Sequence, residues 1–252
     1  MMELAGRRPR IPLLAFALVA AALFGHAPAA GEVSRPREAE YLALEADAYD
    51  PGTLRADGAL VERIRPALEM IRARYPEVQG ISASVPDVTR LLLQVDRSVT
   101  GPLCSGRKGG QPVRPASIGL PAVDAITSRF GGGYRVLCLS ALGFDLVTVE
   151  TRELLHVPSL VKLYRGARGV GDAQEDSLIG GGDVVTVEPS PPRLRVTFSH
   201  GWGDCLAGCI YRRMFFFTVE PDGSVAKAGE WRRDDRGESG GRPWMPAPRR
   251  LP

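Results

Sequence analysis

The sequence predicts an α+β fold: an antiparallel sheet with two or three helices, then a C-terminal β-meander. Three observations lead there. Helical spacings and strand-like runs alternate from Asp57 to about Asp176, four consecutive strand-like runs follow from Asp183, and Gly- and Pro-rich turn signals separate them.

The chain opens on a leader-like segment. Arg7, Arg8 and Arg10 precede the apolar run IPLLAFALVAAALFG, and Ala27 and Ala29 satisfy the small-residue rule of a cleavage site. Residues 1–29 therefore read as a secretory signal peptide cleaved near Ala29. No later stretch is apolar enough to span a bilayer, so the expected location is exported, periplasmic or extracellular. The formal charge of +3 falls to about +1 once the leader, with three Arg and Glu3, is removed. Such a balance gives no case for nucleic acid as a partner. Arg outnumbers Lys heavily and Asn is absent, a profile of GC-rich bacterial coding.

Residues 30–56 form a polar lead-in to which no fixed structure is assigned. The N-terminal α/β half, 57–100, begins with Leu60, Ile64, Leu68, Ile71 and Tyr75 at helical spacing, with Asp57 as a cap and Pro76 as a stop. Pro66 interrupts that pattern and suits a first helical turn, which places an alternative start there. VQGISAS and VTRLLLQVD then read as strands, the second apolar enough to be central. Residues 101–119, holding Cys104, read as a Gly/Pro-rich linker between the two halves.

The second half spans 120–231. Leu120, Val123, Ile126 and Phe130 share a helix face, Pro121 fits the first turn, and the glycines from Gly131 to Gly133 end it. YRVLCLS and FDLVTVE read as a hairpin, a short helix runs from about Pro158 to Tyr164, and a strand lies near GVGDAQED. DVVTVEP, RLRVTFSH, CIYRRMFFFTVEP and SVAKAGEW form the meander, with EPDGS as a hairpin signal. Residues 232–252, basic and rich in Pro and Gly, read as a disordered tail.

The segment SHGWGDCLAGCIYRR carries the densest chemistry. His200, Asp204, Cys205 and Cys209 could make a thiol enzyme, with His200 as base and Asp204 as its orienting carboxylate. They could also ligate zinc, although Cys205 and Cys209 bracket only three residues and zinc competes with disulfide formation outside the cytosol. The reading adopted is a structural staple, since two neighbouring thiols in an oxidising compartment pair. Gly201, Gly203 and Gly208 would permit a compact turn closed by Cys205 and Cys209, and Trp202 would lie over the bridge. A loop this short gains on the order of 2 to 3 kcal/mol, so the gain is shape more than stability. Cys104 and Cys138 form the remaining pair, although the sequence alone permits three connectivities. No catalytic residue, metal ligand or cofactor is assigned.

The GWGDCLAGCIYRR segment, followed by an aromatic strand and a DGSV hairpin, resembles a motif of uncharacterised exported bacterial proteins, as does LHVPSLVKLYRGARGV upstream. That resemblance implies no activity. YPEVQGISAS and SLVKLYRGARGV also look like parts of the α/β prodomains of subtilisin-like proteases, which implies a protease-inhibitor or prodomain-like module as an alternative. The leading expectation is a non-enzymatic exported protein that binds an unknown protein or surface partner.

Overall fold

The computed structural model describes residues 37–46, 53–105, 112–138, 144–176, 182–205 and 209–244. The signal peptide and Gly208 lie outside them. The helices are α1 (Glu38–Ala46), α2 (Gly58–Arg74), α3 (Arg97–Cys104), α4 (Pro121–Arg129) and α5 (Val157–Arg165). The first sheet holds β1 (Thr89–Asp96), β2 (Pro112–Val113), β3 (Gly133–Leu137), β4 (Phe144–Thr151) and β5 (Val170–Glu175), in the order β2-β3-β4-β1-β5. The second holds β6 (Val184–Ser190), β7 (Arg193–Trp202), β8 (Tyr211–Val219), β9 (Val225–Asp234) and β10 (Gly237–Gly240), joined in sequence order. All pairings are antiparallel, and the α+β class with its C-terminal meander is present.

Each sheet has a core of its own. Leu91, Leu93 and Val95 alternate onto one face of β1 and meet Val123 of α4 and Leu160, Val161 and Tyr164 of α5. Strand β1 pairs with both β4 and β5, so this sheet draws strands from either side of the 101–119 segment. On the meander, Val185, Val196, Phe198, Phe215 and Phe217 face Leu42 of α1 and Ile64, Leu68 and Ile71 of α2. Burial of this apolar area supplies the main drive for both layers.

The lead-in differs from expectation: residues 38–46 form helix α1, which buries Leu42 and Ala43 against the meander core. Its anchor is Glu38, 2% exposed. Its carboxylate accepts two hydrogen bonds from Arg72 of α2, at 2.7 and 2.8 Å, and a third from the backbone N–H of Ala83 at 2.8 Å. Arg72 also donates to the Ile81 carbonyl at 2.9 Å and lies over the Phe198 ring. The same network explains why VQGISAS is not a strand. After a 3-10 turn at Pro76–Val78, the segment sends Val78 and Ile81 into the core and satisfies its backbone at Glu38 and Arg72 instead of a ladder.

Helix α2 starts at Gly58, not Pro66, with the Asp57 side chain accepting from Ala59 N–H at 3.0 Å. Pro66 and Glu62, whose carbonyl loses its partner, both lie on the exposed side, where water can satisfy that oxygen. Helix α3 occupies the start of the expected linker, capped by Asp96 onto Ser98 N–H at 2.7 Å. The tail is ordered through residue 244: β10 pairs with β9, and Trp244 packs edge-on against Phe216 and donates to Thr197 Oγ1 at 3.2 Å. Composition hid this, because one Trp anchors an otherwise polar stretch.

Glu38→Ala strands the Arg72 guanidinium and one backbone N–H. Urea denaturation should show a loss of about 3 kcal/mol. A loss below roughly 0.5 kcal/mol, the size of a surface substitution, would mean that α1 is not anchored through this pair.

Candidate binding face at the stapled end of the meander

Two disulfides are formed, Cys205 with Cys209 and Cys104 with Cys138, with Cα separations of 4.0 and 5.8 Å. The second ties α3 to the end of β3. With their sulfurs bonded to each other, Cys205 and Cys209 are closed to thiolate attack and to thiolate ligation of zinc. Among the described residues, no three His, Cys, Asp or Glu side chains converge as metal ligands would.

Gly201 and Gly203 serve the staple in different ways. Gly203 takes φ +92°, which turns the chain out of β7. Gly201 stays within the strand, but a Cβ there would lie 2.5 Å from the Cys209 sulfur. The sulfur, with the Gly182 carbonyl oxygen 2.9 Å from the same point, thus fills the place a side chain would occupy. Successive residues of a strand face opposite ways, so Trp202 lies on the other side of the sheet and does not cover the bridge as expected. Its ring stacks on His200, with centroids 5.6 Å apart and planes 21° apart, and leans on Tyr211 at 5.8 Å.

His200 is oriented by Asp183, not by Asp204: Nδ1 and Oδ1 are 2.6 Å apart. The register explains the choice. Val184 of β6 sits level with Ser199 of β7, so the residue before β6 falls beside His200. On this same face, Arg213 lies level with His200 and Arg232 level with Arg213. Arg213 binds Glu230 at 2.7 Å and Arg232 binds Asp234 at 2.6 Å. Burial opposes ionisation of Glu230, but hydrogen bonds from Arg213 and Lys227 outweigh it and hold the carboxyl below its ordinary value. Arg213 and Lys227 also lie over the Phe215 ring, at 4.7 and 5.1 Å, so charged stems roof the last aromatic of the core.

The arginines and Asp183 were not singled out by sequence reasoning. The dipeptides Arg212-Arg213 and Arg232-Arg233 are visible in the chain, but their opposition depends on a shift of register between Phe216 and Phe217. Phe217 is level with Lys227, whereas Phe216 is level with Gly229, so Ala228 is the extra residue of a bulge. The bulge makes two Arg–Arg oppositions where the unshifted hairpin would make one.

A second histidine contact lies elsewhere. His156 Nδ1 is 2.7 Å from Ser159 Oγ in the first turn of α5, with both residues buried. Ser159 also borders a groove of about 600 Å³ beside α4 and α5, lined mainly by Leu54, Ala122, Ile126 and Leu163. This pairing of a base with a hydroxyl escaped the sequence reading because it arises within one helix turn, without a recognisable motif.

Gly201→Ala forces its methyl group against the Cys209 sulfur and should lower stability by about 1–3 kcal/mol in thermal or urea unfolding. In a Cys205→Ser/Cys209→Ser background the penalty should shrink, since the opposing atom is smaller and no longer tethered. An equal penalty in both backgrounds would show that the sulfur is not what Gly201 accommodates. No protein-family model matches the chain, and no curated protein or solved structure is significantly similar to it.

Proposed function

We propose that the chain is an exported, disulfide-stapled protein that binds a partner through the stapled end of its meander. Two disulfides fit an oxidising compartment, and no helix among the described residues is long and apolar enough to cross a membrane. The observation that supports the binding role is the group held beside the staple. His200, Trp202 and Tyr211 project from neighbouring strands beyond the residues of the helix-covered core, and Ile210, 53% exposed, adjoins them. Trp, Tyr and Arg dominate binding energy at protein interfaces because they bury large areas at small entropic cost and carry polar handles. A single apolar side chain in water needs no account, but Ile210 beside a ring stack fixed on both strands makes a preorganised contact surface.

The test is capture of exported proteins on immobilised wild-type chain compared with Trp202→Ala and Tyr211→Ala. A partner retained by the wild type should be weakened at least tenfold by either substitution, equivalent to about 1.4 kcal/mol or more, with the thermal midpoint little changed. Equal retention of every captured protein by all three chains would overturn the assignment of this face.

A further inference from the structure

The sheet face opposite His200 carries an electrostatic imbalance next to the staple. Gly201, Arg212, Arg233 and Glu238 lie level across β7, β8, β9 and β10 and form one cross-sheet row. Residues directly opposite on paired strands present their side chains to the same face, where like charges repel. Arg212 donates to the hydroxyl of Ser199 at 2.9 Å, a neutral partner. Arg233 forms no ion pair among the described residues. Glu238, level with Arg233, is bound by Arg242 at 3.3 Å, and the Arg242 guanidinium lies 3.5 Å over the Trp231 ring. One carboxylate thus stands among three guanidinium groups.

The other face shows what balance would look like. There Arg213 and Arg232 are opposed in the same way, and each has a carboxylate of its own, Glu230 and Asp234. The chain neutralises one opposed pair and leaves the other to be neutralised from outside. Two neighbouring guanidinium groups offer several N–H donors in planar forks, which suit a tetrahedral oxyanion carrying more than one charge. Next to them, the Cys209 sulfur takes the place of a side chain at Gly201, and the staple holds the strand ends.

We propose that Arg212 and Arg233 form a binding site for a phosphate group, free or esterified. The site lies on the face opposite the His200, Trp202 and Tyr211 group and stands apart from the binding role proposed for that group. Inorganic phosphate and glycerol phosphate serve as probes, read by calorimetry and by thermal midpoint against sodium chloride of equal ionic strength. Phosphate should raise the midpoint where chloride does not. Arg212→Gln and Arg233→Gln should each weaken phosphate binding about tenfold or more. Arg233→Glu should abolish phosphate binding, because it sets a carboxylate where the anion would lie. Response to both probes assigns a phosphate ester, and response to inorganic phosphate alone assigns the free anion. Equal effects of phosphate and chloride would overturn the site, as would phosphate binding that survives both glutamine variants. Partner capture that fails on Trp202→Ala while phosphate has no effect would leave the binding role standing and remove this site alone.

Discussion

The contact between the Cys209 sulfur and the bare Cα of Gly201 is the constraint on which the stapled end depends. A side chain at 201 would press on the bridge and on the Gly182 carbonyl, and without the bridge the strands beyond Ser199 and Met214 would be held by their ladder and by exposed side-chain contacts. Strand ends fray because their last hydrogen bonds are exposed to water. A covalent closure that spans few residues adds little to global stability, yet it removes that local freedom. The exposed ring of His200 and the half-buried rings of Trp202 and Tyr211 therefore keep one arrangement without support from the helices. Ordering of this kind is what a binding surface gains from, since the entropy of fixing its side chains has been settled before any partner arrives.

A second constraint works through register. The bulge at Ala228 turns the two Arg dipeptides into cross-strand opponents, and the chain answers it on one face only, with Glu230 and Asp234. The cost of leaving the other face unanswered is modest in water, where exposed charges are screened. That modest cost lets the arrangement persist at the stapled end, while the buried charge at Glu38 is bound on every side. The two cases follow one rule, namely that the demand for a partner rises with desolvation. Glu38 joins helix to helix and to the 78–83 segment because its carboxylate cannot be left in the core alone, whereas Arg233 is solvated and can await a ligand.

Much of the fold was legible because it rests on periodicity. Helix α4 with its proline start and glycine stop, the hairpin of β3 and β4, helix α5 and the four strands β6 to β9 all follow local patterns of apolar spacing and turn residues. Helix α1 was not legible, since its decisive residue is a buried carboxylate whose partner lies 34 positions away. VQGISAS has the composition of a strand, but Glu38 and Arg72 take its backbone groups before any strand can. At the site, the pairing of Cys205 with Cys209 and the turn at Gly203 were readable from spacing and residue type. The partner of His200 and the side on which Trp202 lies were not, because both depend on which residues stand level across strands. Register is a property of pairs of segments, and a bulge of one residue is enough to change it.

Peptide mapping of the protein under non-reducing conditions tests the central claim most directly. The account predicts that Cys205 and Cys209 occur in one peptide two hydrogens lighter than its reduced form, and that Cys104 and Cys138 join two distant peptides. Free thiols at 205 and 209, or a bridge from either of them to Cys104 or Cys138, would contradict it.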